Sequence, residues 1–394
     1  MKALHVIPSI SPSLGGPTQV VLNLVKSLRD SGVDAEIVTT NHNGSTPLDV
    51  PLYKKVEYQQ VPVWFLPHFS PPMKEFIFSA ALTQWLWKNI RNYDIIDNHY
   101  LFSYAPTCAA ALARWHNIPY TVRVQGQLTA WALTQGKLKK QLYSNLIERH
   151  NLNNAAAIHC TSTGEAEDVR RFGITTPNVI LPLGVEQVPE IPQAKSQLHS
   201  LYGISLQTPV ILFISRLRHN KRPDLLVRSL SRIADLKSDF HLILAGDGEA
   251  EYINYLEKLV TSLNLNSRVS FIGFATGNIK HILLQGADLF VLPSRSENFS
   301  IAVAEAMAIG LPVIVTEEVQ IAQEIIANKA GISVTGDIDS LAQAISQLLA
   351  SHQLRQELGK NGKDWAQNRF AWNAIANSLV SVYSAILKNG RHSL

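Results

Sequence analysis

The 394-residue sequence has few of the features that mark a secreted, membrane-spanning or metal-binding protein. Its two cysteines, Cys108 and Cys160, are too few for a disulfide framework and lack the spacing of a metal site. No apolar run approaches the roughly 18 residues that span a bilayer. The apolar part of the N-terminus is also too short for a signal peptide. We therefore expect a cytoplasmic protein with two reduced thiols.

The net charge also gives no indication of nucleic-acid binding. A formal net charge of +4 is too small to indicate such a partner, so we expect none. The composition, 46% hydrophobic and 17% charged, is typical of a globular protein with a substantial core. The length predicts two domains, or at most three.

Short apolar strands alternate with helix-like segments along the whole chain. The predicted strands are "ALHVIPS", "AEIVTT", "DIIDNH", "PYTVRV", "AAIHCTS" and "NVILPLG" in the first half, and "VILFIS", "HLILAG", "VSFIG", "DLFVLPS", "LPVIVT" and "GISVT" in the second. This alternation is typical of parallel sheets covered by helices on both faces. Two such sets predict two Rossmann-like α/β domains.

The predicted domain boundary lies where prolines and polar residues interrupt the alternation. We predict an N-terminal domain over residues 1–185, a linker over 186–198 and a C-terminal domain over 199–370. A final helical segment over 371–394 is expected to cross back to the N-terminal domain.

One stretch, "SRSENFSIAVAEAMAIGLPVIVT", places Glu297 just before a predicted helix and Glu305 inside it. The first helical amides, near Phe299, Ser300 and Ile301, lack intrahelical acceptors and favour a phosphate. Glu305 lies about two turns further on, where it could accept hydrogen bonds from hydroxyl groups. A nucleotide-sugar, with hydroxyls at both ends and a diphosphate between them, fits this pattern. An ordinary amphipathic helix is the alternative.

A second stretch, "VILFISRLRHNKRPDLLVRSL", places Arg216, Arg218, Lys221 and Arg222 between a strand and a helix. Cations at the start of a helix oppose its dipole unless an anion binds there. Charge-assisted hydrogen bonds of about 1.5–3 kcal/mol each would hold a diphosphate and stabilise its charge as the sugar departs. A solvated basic loop is the alternative.

Two glycine turns follow other predicted strands. Gly246, in "LAGDGE", is by itself a weak signal. Gly15 and Gly16, in "SPSLGGPTQ", would let the backbone approach a phosphate or sugar closely. Their spacing is not the G-x-G-x-x-G of dinucleotide-binding proteins, which disfavours a dehydrogenase.

With these motifs assembled, the sequence resembles the retaining glycosyltransferases of family four, which have the GT-B fold. The segments that carry the resemblance are "LGGPTQVVLNLVKSLRDSG", "SRLRHNKRPDLLV", "LAGDGE" and "ENFSIAVAEAMAIGLPVIVT". The resemblance covers nearly the whole chain and implies two Rossmann-like domains facing each other across a deep cleft. The middle of the chain resembles the branch that builds bacterial exopolysaccharides, including cyanobacterial envelope polysaccharides.

The resemblance implies roles for individual residues. Glu297, Arg216 and Lys221 would be the catalytic residues, with the two cations holding the donor diphosphate and Glu297 contacting the donor sugar. Glu305 would bind the ribose hydroxyls. The other implied donor-binding residues are Gly15, Gly16, Gly246, Phe274 (near the base), Asn298, Phe299, Ser300 and Ile301.

Two positions depart from the family pattern. Gln125 stands where family members commonly have a histidine, so it could hydrogen-bond the donor sugar but not carry a proton. Ser300 replaces a common glycine, which tightens the approach of a phosphate. His99 is a further candidate for the acceptor side, with a packed strand-end histidine as the alternative.

The resemblance implies retaining transfer of a hexose, with UDP-glucose the suggested donor and a saccharide or lipid-linked saccharide the acceptor. A front-face reaction is favoured over a double displacement, because Glu305 is assigned to the far end of the nucleotide. We expect no metal and no cofactor, because the D-x-D at Asp337 to Asp339 is interpreted as a helix N-cap. An epimerase, phosphorylase or hydrolase of the same fold, and an inactive nucleotide-sugar-binding protein, are the alternatives.

Two segments suggest a further partner, an anionic membrane on the inner face of the plasma membrane. "KEFIFSAALTQWLWKNIRNY" is apolar nearly all round, and "GKLKKQLYSNLIERH" is basic and amphipathic. A buried core helix and a solvated basic face are the alternatives.

Overall fold

The computed structural model describes residues 1–12, 16–44, 46–69, 77–135, 137–235 and 239–389. Contacts between residues divide the chain into two compact units. The first unit runs to Gly184 and resumes at Trp372, and the second unit is Val185–Ala371.

The first unit is built on an eight-stranded sheet. Its strands are β1 (Lys2–Ser9), β2 (Asp34–Thr40), β3 (Lys55–Tyr58), β4 (Val61–Leu66), β5 (Ile95–His99), β6 (Tyr120–Arg123), β7 (Ala157–Cys160) and β8 (Asn178–Ile180). Its helices up to the break are α1 (Gly16–Asp30), α2 (Ala80–Asn89), α3 (Tyr104–Trp115), α4 (Ala130–Thr134), α5 (Lys137–Tyr143), α6 (Arg149–Asn153) and α7 (Thr163–Arg171), with a π-helical segment, Ser144–Glu148, between α5 and α6. The sheet order is β3-β4-β2-β1-β5-β6-β7-β8, and of the described pairs β3 and β4 alone are antiparallel.

The second unit is built on a six-stranded parallel sheet. Its strands are β9 (Val210–Ile214), β10 (His241–Ala245), β11 (Val269–Gly273), β12 (Leu289–Leu292), β13 (Val313–Thr316) and β14 (Gly331–Val334). Its helices are α8 (Ala194–Tyr202), α9 (Pro223–Asp235), α10 (Ala250–Ser262), α11 (Gly277–Gly286), α12 (Ile301–Ala308), α13 (Ala322–Ala327), α14 (Ile338–Ala350) and α15 (His352–Arg369). The sheet order is β11-β10-β9-β12-β13-β14.

The last helix, α16 (Trp372–Asn389), belongs to the first unit although it follows the second in sequence. Its buried residues Ile375, Leu379 and Ile386 join the hydrophobic core beneath α1 and β1. The stretch expected to be a linker, 186–198, packs within the second unit. There the Ile191 amide donates to Gln285 Oε1 at 2.7 Å.

The strands that the sequence predicts are present because helices cover both faces of each sheet. Strands β1, β9 and β12 are buried along nearly their whole length, which is why they stand out as continuous apolar runs. The sequence analysis missed β3 and β4, an edge hairpin whose turn consists of Gln59 and Gln60. Both turn residues have positive φ, 50° and 65°, a conformation that Asn-Gly usually signals and Gln-Gln does not.

Among the described helices, none combines the length and apolar character that crossing a bilayer requires.

Candidate functional site

The second unit has a topological switch point between β9 and β12. Within the sheet, β10 and β11 lie on one side of β9, and β12, β13 and β14 lie on the other side. Loops that follow β9 and β12 therefore diverge, leaving a crevice at the carboxyl ends of these strands. Arg216 and Lys221 follow β9, and Glu297 follows β12. The fold thus places all three candidate catalytic residues at the point where open α/β sheets bind ligands.

Lys221 and Glu297 form an ion pair across this crevice. Lys221 Nζ donates to Glu297 Oε2, and the two side chains are 11% and 18% exposed. Their loops are joined by backbone contacts: the Arg295 amide donates to the Asn220 carbonyl at 2.7 Å. The hydroxyl of the fully buried Ser294 donates to the same carbonyl at 3.0 Å. The pair is therefore held by the protein rather than by two mobile surface side chains.

The backbone of Glu297 is also fixed from the side of β13. Its amide donates to the Glu318 carbonyl at 3.3 Å, and its carbonyl accepts from the Gln320 amide at 3.0 Å. These bonds form a short parallel bridge between Glu297 and Val319. A carboxylate positioned in this way is preorganised to act on a ligand.

Arg216 supplies a second cation near the pair. Desolvation, followed by the neighbouring Arg218, lowers the pKa of Arg216 below its usual value, while Glu297 opposes this shift. In the described part of the chain Arg216 has no ion-pair partner within 4.0 Å. An anion bound here would relieve the repulsion between the two arginines. Arg222, by contrast, points away, since its Nη2 donates to the Gly336 carbonyl at 2.7 Å.

The start of α12 has the geometry of an anion site with one unusual residue. Ser300 is the N-cap, with φ +60°, and its hydroxyl accepts from the Val303 amide at 3.4 Å. This left-handed φ explains why glycine suits the position. Asn298 has a buried Oδ1 without a hydrogen-bond partner among the described residues. Phe299 is buried and packs edge-on against Phe370, which leaves only its backbone for a ligand.

Glu305 is held by a residue that the sequence analysis missed. Lys280 Nζ, on α11, donates to Glu305 Oε1 at 2.7 Å, and both side chains are about a quarter exposed or less (26% and 20%). The residues are 25 positions apart and lie on different helices, α11 and α12. The carboxylate of Glu305 is consequently oriented before any ligand arrives.

The loops after β10 and β11 lie on the other side of β9. Gly246 has φ +150°, and a Cβ there would meet the Ser215 carbonyl oxygen at 1.9 Å. Glycine is therefore required by the close approach of two loops, whatever its role toward a donor. Phe274, just after β11, is 70% exposed, so its ring is available for stacking.

The candidate residues of the first unit have mixed outcomes. Gly15 lies outside the described residues, and Gly16 is the exposed first residue of α1. Gln125 follows β6 with φ +48°, and its partly buried side chain has an Oε1 without a partner among the described residues. His99 is fully buried, and its Nε2 shares a 3.0 Å hydrogen bond with His5 Nδ1. The expectation that His99 reaches the acceptor is therefore revised, because no atom of it is accessible.

His99 belongs to a buried polar cluster around Asp97, which the sequence analysis also missed. Asp97 Oδ2 accepts from Arg123 Nε at 3.0 Å and from the Tyr383 hydroxyl at 2.6 Å. Ligand atoms of His5, Asp97 and His99 lie within 4.8 Å of one another, a grouping that a metal could use. The fit is poor, because Arg123 already balances the carboxylate and the His5–His99 hydrogen bond occupies two nitrogens.

The D-x-D motif, Asp337 to Asp339, begins a helix with Asp337 as its N-cap, as its position in the sequence predicted. The Asp337 carboxylate accepts from the amides of Asp339 and Ser340 at 3.0 and 2.9 Å, capping α14. These hydrogen bonds, with those from the Ser340 and Thr335 hydroxyls, hold the pKa of Asp337 well below its usual range.

Two family models each match one unit of the chain. Residues 195–365 match the family model "Glycosyl transferases group 1", and residues 15–184 match "Glycosyl transferase 4-like domain". The chain is 26% identical to D-inositol 3-phosphate glycosyltransferase of Corynebacterium diphtheriae, over 97% of this chain and 93% of that protein. It is 25% identical to N-acetyl-alpha-D-glucosaminyl L-malate synthase of Bacillus anthracis, over 97% of each chain.

A similar solved structure is that of Anabaena HepE in complex with UDP-glucose. Its TM-score with this chain is 0.74 at 21% identity, and the match covers 98% of this chain and 99% of that one. At this identity the similarity shows the fold alone. The two α/β units and these matches define a glycosyltransferase of the GT-B fold. The chain belongs to glycosyltransferase family four, so the predicted family and fold class are confirmed.

Proposed function

We propose that this glycosyltransferase transfers a hexose from a UDP-sugar, with UDP-glucose as the first candidate, to a saccharide or lipid-linked saccharide during polysaccharide synthesis. The observation that carries the proposal is the Lys221–Glu297 pair, preorganised at the switch point beside Arg216, which has no ion-pair partner among the described residues. The choice of UDP is supported by the complexes of the similarly folded Anabaena HepE with UDP and with UDP-glucose.

The charges suggest how the donor lies. A diphosphate is attracted by Lys221 and Arg216 but repelled by Glu297, so the phosphates take the cationic side and the sugar hydroxyls take Glu297. The unpaired amides at the start of α12 add further donors for the phosphate. Glu305 would accept hydrogen bonds from the ribose, and the exposed ring of Phe274 would lie near the base.

We infer transfer with retention through a front-face reaction. A double displacement needs two carboxyl groups about 5–5.5 Å apart at the sugar. Glu305 does not suit that role, because it lies within α12, whereas Glu297 lies in the loop before that helix, and it is engaged by Lys280. In the proposed step the bond from the anomeric carbon to the phosphate oxygen breaks and the acceptor oxygen bonds the same face. The acceptor proton passes to the departing phosphate, whose charge Lys221 and Arg216 stabilise.

We further propose that no metal or cofactor takes part, since two protein cations face the leaving group. Transfer that persists after exhaustive chelation supports this, and loss of transfer that Mg²⁺ or Mn²⁺ restores contradicts it.

The acceptor is a separate question. The inositol phosphate and malate in the names of the two relatives show that family members use chemically different acceptors. We favour a saccharide on the resemblance of the middle of the chain to exopolysaccharide enzymes.

The experiment combines ligand binding with product analysis. UDP- and GDP-sugars are screened by thermal shift, and products from the best ligand are analysed with and without saccharide acceptors. Transfer that depends on Glu297, Arg216 and Lys221, and not on the exposed Glu257, supports the proposal. Products formed without an acceptor would indicate a hydrolase or epimerase, and binding without turnover would indicate an inactive binding protein. Normal transfer by Glu297→Ala, Arg216→Ala and Lys221→Ala variants would refute the site.

A further inference from the structure

Helix α2 carries one large aromatic side chain that the core does not use. The segment that contains it is apolar nearly all round, and its residues before position 77 lie outside the described part of the chain. Most of its apolar character belongs to the core, which buries Leu82, Trp85 and Leu86. Trp87 is instead 54% exposed, and Trp115, the last residue of α3, is 72% exposed. Exposed apolar residues are common singly, so it is the adjacency of these two that calls for a function.

The rings of Trp87 and Trp115 lie side by side, and we call them the tryptophan pair. Their centroids are 6.5 Å apart, and their planes meet at 39°. The ring of His116 lies against Trp87 from another direction, with centroids 5.6 Å apart and an angle of 63°. Each tryptophan is thus fixed by at least one neighbouring ring and still presents about half of its surface or more to solvent.

The packing of α2 and α3 fixes the geometry of the pair. The Thr83 hydroxyl hydrogen-bonds the Tyr104 hydroxyl and lies 3.4 Å from Cys108 Sγ, which joins the two helices side by side. Their inner faces, including Leu86 and Ala109, belong to the same hydrophobic core. The tryptophan pair is therefore held before a ligand arrives, which reduces the entropic cost of binding.

The pair lies at the edge of the first unit's sheet where strands β5 and β6 begin. Helix α2 leads into β5, and α3 leads into β6. His99 ends β5, and Gln125 follows the other end of β6. The five residues of β5, at about 3.3 Å each, place roughly 15 Å between the two edges. The tryptophan pair is therefore separate from Gln125, the candidate for the sugar side.

The polar groups beside the rings are hydrogen-bond donors. Arg91 Nε donates to His116 Nδ1 at 3.0 Å, which holds the imidazole against Trp87. Arg91 is exposed, and its guanidinium has further N–H groups beyond the one that this bond uses. Each indole adds an N–H donor of its own. The surface thus combines two flat aromatic faces with donors at their rim.

These features complement a saccharide chain. The C–H groups on one face of a hexose carry a partial positive charge, which the negative face of an aromatic ring attracts. The hydroxyls around the sugar accept hydrogen bonds from guanidinium and indole N–H groups. Two rings side by side can therefore stack two consecutive sugars of one chain.

A second copy of this chain fits the tryptophan pair less well. Large aromatic side chains bury about 150–250 Å² each, so the exposed parts of the two tryptophans amount to roughly 300 Å² at most. A stable protein–protein interface buries about 800 Å² on each partner. The pair by itself is too small for such an interface and large enough for two sugars.

We propose that the tryptophan pair is a second saccharide-binding site, which stacks two consecutive sugars of a linear chain of neutral hexoses. Its use in synthesis rests on the proposed function, since a second contact would keep a growing polysaccharide on the enzyme and raise its effective concentration. The binding itself requires neither the nucleotide-sugar nor transfer.

The test is isothermal titration calorimetry of the full chain with maltohexaose, cellohexaose and laminarihexaose, without a donor. We expect at least one of them to bind. Trp87→Ala and Trp115→Ala should each weaken that binding about five- to tenfold, and Trp115→Phe, which keeps a ring, should weaken it less. The matched control is Tyr53→Ala, which removes a 58% exposed aromatic residue elsewhere in the same unit and should change nothing. Thermal unfolding checks that each variant is folded.

Each outcome bears on the proposal. No binding of any hexaose by the wild type, or equal binding by the wild type and the Trp87→Ala/Trp115→Ala variant, overturns it. Loss of binding in Gln125→Ala but not in the double variant would assign the saccharide to the other edge of the sheet and contradict it as well. If the double variant abolishes self-association in sedimentation velocity and leaves hexaose binding intact, the pair joins two copies and the proposal is wrong.

A separate measurement distinguishes this proposal from the proposed function. The double variant should transfer sugar to a disaccharide acceptor as fast as the wild type, because a disaccharide bound for transfer does not reach the tryptophan pair. Absence of transfer by the wild type would contradict the proposed function, whereas the calorimetry decides saccharide binding in either case.

Discussion

Replacing Glu297 by glutamine should strengthen the binding of UDP while it weakens the transfer of sugar. In the free protein Lys221 donates to Glu297, so a diphosphate must compete with that carboxylate for the ammonium group. Both side chains are mostly buried, at 11% and 18% exposure, so solvent screens this competition only in part. A charge-assisted hydrogen bond of about 1.5–3 kcal/mol corresponds to about 10- to 150-fold in affinity. We expect Glu297→Gln to bind UDP about tenfold more tightly, since Lys221 keeps a weaker, neutral partner.

Lys221→Met should act in the opposite direction. It removes a cation from the phosphates and leaves Glu297 unpaired beside them, so UDP should bind about 10- to 100-fold more weakly. UDP-glucose should gain less than UDP from Glu297→Gln, because the sugar hydroxyls lose a charged acceptor.

Isothermal titration calorimetry with UDP and UDP-glucose measures both effects, and initial rates of sugar transfer measure turnover. The controls are Glu257→Gln and Lys258→Met, an exposed acid and an exposed base on α10. If Glu297→Gln weakens UDP binding as much as Lys221→Met does, Glu297 contributes to binding the phosphates, and the inferred orientation of the donor is wrong.

Three further predictions concern other parts of the chain. Lys280→Met should weaken UDP binding several-fold but leave 2′,3′-dideoxy-UDP unaffected if Lys280 acts by orienting Glu305 toward the ribose; equal losses with both ligands would contradict this role. Gly246→Ala should cost more than about 2 kcal/mol of stability in urea unfolding, because its Cβ would overlap the Ser215 carbonyl; unchanged stability would show that these loops are loosely packed. Burial lowers the pKa of His159 from 6.5 to about 3, so its stabilising contribution is full above pH 6.5 and falls by about 2 kcal/mol by pH 5. Burial also lowers the pKa values of His5 and His99, so His159→Gln should reduce the pH dependence of thermal unfolding without abolishing it, and an unaltered slope would assign it to other groups.

The fold was predictable where burial on both faces leaves a continuous apolar run in the sequence. Strands β9 and β12 are such runs, and the candidate residues Arg216, Lys221 and Glu297 follow them directly. Because ligand-binding residues of α/β proteins follow the carboxyl ends of strands, local sequence was enough to nominate them.

Contacts between residues that are far apart in the sequence were not predictable. Lys280 meets Glu305 only in the tertiary structure, and neither residue carries a local sign of the other. His99 illustrates the opposite error: a polar residue at a strand end suggested the acceptor side, yet its partner His5 is 94 residues away in the same core. A polar residue at a strand end can face a ligand or a neighbouring strand, and periodicity does not distinguish the two.

The buried cluster around Asp97 helps to hold α16 on the first unit. Asp97 is a buried carboxylate, and Arg123 alone satisfies only part of it. Tyr383, on α16, supplies the further hydrogen bond at 2.6 Å, and the same helix places Ile375 and Leu379 in the core beneath β1. A buried carboxylate without hydrogen-bond donors is costly, so the Tyr383 hydroxyl of the docked α16 stabilises Asp97. The second unit is inserted in sequence between the sheet of the first unit and the helix that supplies this hydrogen bond.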